Sequence, residues 1–341
     1  MAGRFAPRPT SRTTVRGGEV PAPVVSSAVP RQATGPRVRA WVPEGPLDLG
    51  LVLGPLRRGG GDPTFRATRD GSVWRATRTP AGPGTLRVYA CGGEVRGEAW
   101  GPGADWLLEG LPELLGAADD PEAFEPRHRL VALARHRRPG LRLTRTGLVL
   151  ESLIPSVLEQ KVTADEAYRA WRRLVSWFGE PAPGPAGTGE RPMWVMPAPR
   201  TWALIPSWEW HRAGVDDKRA ATILRAVRLA ARLEQTAAMP PAEARARLEV
   251  VPGVGPWTSA EVVQRSHGAP DAVTTGDLHL PRIIGWALAG NRDADDAEML
   301  RLLEPYAPGG QRHRAARYVL LSGNTPARRH PKMRKTDIGR W

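Results

Sequence analysis

The apolar positions of this chain follow two rhythms, short and strand-like up to about residue 116 and helical from about residue 120 onward. In the first stretch, Phe65-Arg66-Ala67-Thr68 and Ser72-Val73-Trp74-Arg75-Ala76 flank Asp70-Gly71, a pair that accepts the positive φ angles of a tight turn, and so predict a hairpin. Residues 86–90 and 94–96 extend the sheet across Gly92-Gly93, and residues 47–56 and 104–115 are expected to be helices packed on it. In the second stretch, Leu150, Leu153, Ile154, Val157 and Leu158 share one helix face, with Pro155 expected to kink it. Tyr168, Trp171, Leu174, Val175 and Phe178 share another. Further helices are expected at 218–234, 242–250, after Pro256, at 280–289 and at 294–303. Residues 179–200, GEPAPGPAGTGERPMWVMPAPR, hold too many breakers for internal structure. The expected organisation is a disordered basic arm at 1–36, an α+β domain at 37–118, a mainly α domain at 119–325 and a basic tail at 326–341.

Hydrophobic residues make up 41% and charged residues 25% of the 341 positions, a globular balance, and no apolar run approaches the ~18 residues of a membrane span. The basic opening MAGRFAPRPTSRTTVRGG is not followed by an apolar stretch, so it does not read as a secretion signal, and a cytoplasmic monomer is expected. Cys91 is the one cysteine, which excludes an intramolecular disulfide and a four-cysteine iron–sulfur cluster. The formal charge of +14 points to a polyanionic partner. Its distribution sharpens that point: residues 1–40 carry +6 and residues 311–341 carry +8, which leaves 41–310 neutral.

The chemistry concentrates in LEVVPGVGPWTSA at 248–260 and TTGDLHLP at 274–281. Arg245, Leu248 and Val251 close one helical pattern, Pro252-Gly253-Val254-Gly255 cannot continue it, and Pro256 suits the first position of a new helix. That is a helix-hairpin-helix. Its glycines let the chain turn and let bare N–H groups approach an anion, so a backbone phosphate can sit at the start of the second helix. Asp277 follows Trp257 by twenty residues.

These two segments resemble the helix-hairpin-helix, Gly/Pro-rich-loop, Asp family of DNA glycosylases, and within it the 3-methyladenine-DNA glycosylase 2 (alkylpurine) branch; the resemblance spans about 120–325 and is strongest at 248–285. It implies two helical lobes around a cleft and, as partner, double-stranded DNA carrying damaged bases, alkylated purines first. Asp277 is then the catalytic carboxylate, which stabilises positive charge building on the sugar and orients a water. Trp257 stands where strand-cutting members carry a Schiff-base lysine, so hydrolysis without lyase activity is implied.

The base pocket maps to Trp257, Glu261, Leu278 and Ser322, the last three at positions where the branch pattern has aromatics. DNA contacts map to Pro252, Gly253, Val254, Gly255 and Thr258, to Gln160 facing the orphaned base, and to Lys161 at the position of the residue that wedges into the duplex. No cofactor is implied beyond a structural Na or K ion on the backbone of Val250, Val251 and Gly253.

Each assignment has a plainer alternative. Asp277 can be an N-cap, although Pro281 would then stand at N4; a helix beginning nearer Pro281 leaves the carboxylate in the loop. Trp257 can be a core residue, and Lys161 an exposed charge at a helix end. Arg135, Arg137, Arg138, Arg142 and Arg145 are expected to form a solvated basic surface. His267, His279 and His313 lack the spacing of a zinc site. A noncatalytic helix-hairpin-helix DNA-binding module, and a glycosylase for oxidised or deaminated bases, are the competing functions.

Overall fold

The computed structural model describes residues 35–327 together with Asp337 and Gly339. The expected N-terminal arm, but for Gly35 and Pro36, and most of the expected basic tail lie outside the described residues.

Five antiparallel strands open the fold: β1 (Arg37–Trp41), β2 (Phe65–Ala67), β3 (Val73–Thr79), β4 (Gly82–Cys91) and β5 (Glu94–Trp100), in the order β1-β5-β4-β3-β2. Alternation decides which face is covered. Val95 and Ala99 of β5 and Leu86 and Val88 of β4 point into one core with α1 (Leu49–Leu53), α2 (Ala104–Glu109) and α3 (Leu111–Leu114). The Gly92-Gly93 turn has φ of +60° and +85°, the two-residue geometry whose twist matches the strands it joins. The first hairpin turns over three residues, because Thr68 N–H closes on the Ser72 carbonyl at 2.9 Å, rather than over Asp70-Gly71 alone. The helix expected at 104–115 is two helices: Gly110 interrupts it, and the second begins at Leu111 with Pro112 in its first turn.

The remaining helices are α4 (Arg129–Arg137), α5 (Leu150–Leu158), α6 (Ala164–Phe178), α7 (Pro199–Leu204), α8 (Ser207–Ala213), α9 (Asp217–Arg228) and α10 (Ala230–Glu234). They continue with α11 (Pro241–Glu249), α12 (Pro256–Ser266), α13 (Leu280–Ala289), α14 (Asp296–Leu303) and α15 (Arg312–Ser322). They form two cores. One gathers α5, α6, α9, α11 and α12 around Leu153, Ile154, Val157, Trp171, Trp202 and Ile223. The other gathers α4 and α13–α15 around Phe124, Ile284, Met299, Tyr306 and Tyr318. Each fully buried Leu or Ile contributes about 1.5–3 kcal/mol, so the stripe on α5 is a large share of the first core.

Residues 179–200 are structured, contrary to the expectation from their breakers. β6 (Glu180–Pro181) pairs with β7 (Trp194–Val195), and Ala182, Ala186, Met193 and Val195 are buried against Ala76 of the sheet. Prolines and glycines fit because the segment needs only two residues of pairing on each side, and Trp194 N–H bonds the Pro63 carbonyl at 2.8 Å.

Three contacts position the helices that matter below. The Glu234 carboxylate accepts from the N–H groups of Val149 and Leu150, both at 2.8 Å, and caps α5. Thr163 and Glu166 form a reciprocal capping box on α6. Arg219, buried on α9, donates to the Leu158 carbonyl at 2.7 Å and holds the end of α5.

Candidate active site

The hairpin joins α11 to α12, and its second helix starts at Pro256 as expected. Gly253 sits at φ +98°, and a Cβ there would run into the Thr222 hydroxyl on α9, so both backbone angle and space require glycine. Val254 is buried and holds the loop to the core, while Pro252, Gly253 and Pro256 are exposed. The Thr258 side chain is also buried.

Gln160 lies against this hairpin. Its amide nitrogen donates to the Gly253 carbonyl at 2.9 Å and to Thr258 Oγ1 at 2.8 Å. Both amide hydrogens are thereby used, which leaves the side-chain carbonyl as the group able to face a base. Lys161 follows in the exposed turn between α5 and α6 with φ +54°, the one non-glycine residue with positive φ among the described residues. A left-handed lysine costs about 1–2 kcal/mol, so the fold holds this side chain out against its local preference. Two of the three carbonyls expected to hold a monovalent ion have other partners: Val251 accepts from Val254 N–H at 2.9 Å, and Gly253 accepts from Gln160. An ion there would share them.

Asp277 is half-buried just before α13. That helix begins at Leu280 with Pro281 in its first turn, so the start lies near Pro281 as expected. The carboxylate is nevertheless not loose in the loop. Oδ1 accepts from the N–H groups of His279 at 2.7 Å and Leu280 at 2.8 Å, and Oδ2 accepts from the Trp257 indole at 3.0 Å. The capping role and an inward-facing carboxylate are therefore built into one side chain.

Asp277 lines a cavity of about 310 Å³. Glu261, Gln264 and Arg265 of α12 form one wall, and Leu280, Ile283, His313, Arg317 and Leu320 of α13 and α15 form the other. Val52 and Pro55, from the α+β part, residues 142–144, Thr274, His279 and Ala316 also line it. Arg265 donates to Glu261 Oε2 at 2.7 Å and to the Pro55 carbonyl at 3.0 Å, and so ties α12 to the segment after α1. Arg317 donates to the Leu51 carbonyl at 3.2 Å. Burial and the neighbouring Arg265 bring its guanidinium down to about 10. Burial, reinforced by Arg317, Arg265 and Arg314, holds His313 neutral, well below the usual histidine range.

Of the four residues mapped to the base pocket, Glu261 lines this cavity. Trp257 stands behind Asp277 as its hydrogen-bond donor and does not form the wall. Leu278 is 63% exposed and points away, because the turn that folds Asp277 Oδ1 onto the N–H groups of His279 and Leu280 turns the residue between outward. Ser322 is also off the cavity. His313, Ala316, Arg317 and Leu320 follow the three-and-four spacing of one α15 face, whereas Ser322 lies two residues past it and donates to the Val319 carbonyl at 2.7 Å. The expected basic surface needs the same kind of correction. Arg142 is buried in the cavity wall, bonded to the carbonyls of Glu44 and Pro46, while Arg135 pairs with Glu122 and Arg145 with Glu113.

No protein-family model matches the sequence. The chain is 29% identical over 236 residues, 64% of its length, to a probable bifunctional transcriptional activator/DNA repair enzyme AlkA of Mycobacterium tuberculosis. It spans 44% of the length of that relative. Among solved structures, it aligns with a 3-methyladenine DNA-glycosylase of Archaeoglobus fulgidus at TM-score 0.66 and 16% identity, covering 84% of this chain and 98% of the other. It aligns with a Clostridium acetobutylicum 8-oxoguanine glycosylase/lyase, solved with double-stranded DNA, at TM-score 0.64 and 13% identity, covering 85% and 95%. The hairpin, the aspartate bonded to its second helix and the two helical cores thus occur in a chain that is similar in sequence to that AlkA and shares its fold with these two solved DNA glycosylases.

Proposed function

We propose that this protein is a monofunctional DNA glycosylase of base-excision repair, which extrudes a damaged base from duplex DNA and hydrolyses its N-glycosidic bond. The observation that carries the proposal is the Trp257–Asp277 hydrogen bond, which fixes the cavity carboxylate to the first turn of the hairpin helix. A phosphate held at the start of α12 therefore sets the distance between the DNA backbone and Asp277.

As the bond from the sugar to the base breaks, positive charge develops on the sugar ring. Asp277, held by three N–H donors, presents fixed negative charge to it and orients the water that adds to the anomeric carbon. Strand cleavage through a Schiff base needs an amine at the sugar; the indole at Trp257 supplies none, and no lysine among the described residues lines the cavity. The exposed hairpin backbone and the turn carrying Lys161 are joined through Gln160, which makes them one surface for gripping and opening the duplex.

The test is incubation of the full chain with duplexes carrying alkylated, deaminated or oxidised bases, with released base measured by chromatography and strand integrity by denaturing gel. Base release from an otherwise intact strand is expected. Tight duplex binding with no base released from any substrate would instead favour a noncatalytic DNA-binding module.

A further inference from the structure

The aromatic positions expected to stack on a cationic alkylpurine are absent from the cavity, and what takes their place is positive. Among the described residues, Arg317 has no carboxylate within ion-pair distance, and the nearby Glu261 is already bonded to Arg265. One of its five N–H donors reaches the Leu51 carbonyl. Arg142 spends its donors on the carbonyls of Glu44 and Pro46 and keeps its charge. His313, on the same face of α15, adds no negative charge. Three guanidinium groups, two carboxylates and the imidazoles of His279 and His313 therefore surround the space where an extruded base would enter.

We propose that Arg317 is a specificity-determining residue, which selects a neutral base with an exocyclic carbonyl, an oxidised or deaminated base, over a cationic N-alkylated purine. The inference rests on the glycosylase reading above. A cationic base brings a further positive charge beside an unpaired guanidinium, whereas a carbonyl oxygen accepts the hydrogen bonds that Arg317 has left to give. The same contact assists the chemistry. When the glycosidic bond breaks, its electron pair stays on the base, and in a base whose carbonyl is conjugated to that nitrogen the charge spreads to the oxygen. Arg317 stabilises it there. Water supplies hydroxide to the anomeric carbon and a proton to the departing base, so atoms and charge balance. A cationic base departs neutral, so even where it carries a carbonyl, as 7-methylguanine does, no negative charge develops there for Arg317 to stabilise.

Single-turnover release from duplexes of one sequence, carrying hypoxanthine, 8-oxoguanine or 7-methylguanine, tests the proposal. The wild-type chain is expected to release at least one carbonyl-bearing neutral base at least tenfold faster than 7-methylguanine. Arg317→Met, close in volume and uncharged, should lower that ratio at least tenfold, with folding checked by thermal unfolding. Faster release of 7-methylguanine by the wild type overturns the inference and leaves the glycosylase reading standing. An equal loss for every base in Arg317→Met, accompanied by weaker binding to undamaged duplex, also overturns it and makes Arg317 a phosphate contact. If no duplex loses a base, the glycosylase reading falls and takes the inference with it.

Discussion

The indole N–H of Trp257 reaches Oδ2 of Asp277 across twenty residues of sequence, at 3.0 Å, while the other oxygen of the same carboxylate caps α13. One side chain thus couples the hairpin that would hold a phosphate to the acid that would face the sugar. The coupling explains why their spacing in the chain is informative: the α12 helix and the loop to Asp277 must return the carboxylate to the helix start.

Asp277→Asn should abolish base release in a single-turnover assay, a loss of at least about 100-fold. Asparagine keeps an acceptor for the two backbone N–H groups, so folding should survive. Duplex affinity should stay within severalfold of wild type, or rise, because a negative charge near phosphates is removed. Full release by the folded variant would refute the catalytic assignment.

Trp257→Phe removes the donor and keeps an aromatic ring. Losing one hydrogen bond to a carboxylate costs about 1.5–3 kcal/mol, so single-turnover release should slow by about 10- to 100-fold at saturating protein, with duplex affinity little changed. A wall residue would instead change affinity for damaged over undamaged DNA. The wild-type product should be an abasic site in an uncut strand, and borohydride should trap no protein–DNA adduct.

The parts of this site that could be read from the sequence are those whose geometry is local. Pro252, Gly253, Gly255 and Pro256 dictate a hairpin and a helix start, and Pro281 places the next helix close enough to leave Asp277 before it. What could not be read depends on which face of a helix is covered. His313 and Arg317 are four residues apart, as are Glu261 and Arg265, a spacing equally common on solvated helices. Only the tertiary placement of α12 and α15 around one cavity turns them inward. Arg142 escapes a sequence reading for the same reason, since a lone arginine in a basic run gives no sign that the Glu44 and Pro46 carbonyls await it. In 179–200 a signal is present but outweighed: Met193-Trp194-Val195 is an apolar triplet among prolines, and it is the part that pairs and is buried.

Gly253→Ala places a Cβ at φ +98° and against Thr222, combining a disfavoured backbone angle with overpacking. The expected loss is about 2–4 kcal/mol of unfolding free energy, measured as a shift in denaturant midpoint. Gly255→Ala meets no atom within 4 Å and lies outside the left-handed region, so it should leave stability nearly intact. Equal effects of the two variants would contradict the geometry of the hairpin.

Stability should fall as pH drops below about 6.5, the ordinary histidine value that the unfolded chain regains. Burial, then the charges of Arg317, Arg265 and Arg314, lowers His313 in the folded state, and burial lowers His267 and His128 in the same direction. Below that pH the unfolded chain binds protons that the folded chain refuses, so the stability present above it is progressively lost. His313→Gln removes one such proton. It should reduce the slope of unfolding free energy between about pH 5 and 6.5 by as much as about 1.4 kcal/mol per pH unit. An unchanged slope in urea titrations would mean that His313 takes up its proton in the folded protein.

The basic ends should supply much of the salt-dependent attraction to DNA, because residues 41–310 carry no net charge. Residues 1–34 hold five arginines against Glu19, and residues 328–336 hold three arginines and two lysines. Deleting the whole C-terminal tail would confound the test. Arg173 grips Asp337 through both carboxylate oxygens, at 3.1 and 3.0 Å, so Asp337 also braces α6. The cleaner experiment removes residues 1–34 and replaces Arg328, Arg329, Lys332, Arg334 and Lys335 with glutamine, leaving Asp337 in place. For every phosphate that the protein no longer neutralises, the dependence of log affinity on log salt flattens by about 0.9. The altered chain should therefore bind undamaged duplex more weakly, with a shallower salt slope, yet release base at a nearly unchanged single-turnover rate once saturated. An unchanged slope would assign the electrostatic attraction to the hairpin face and the turn at Lys161.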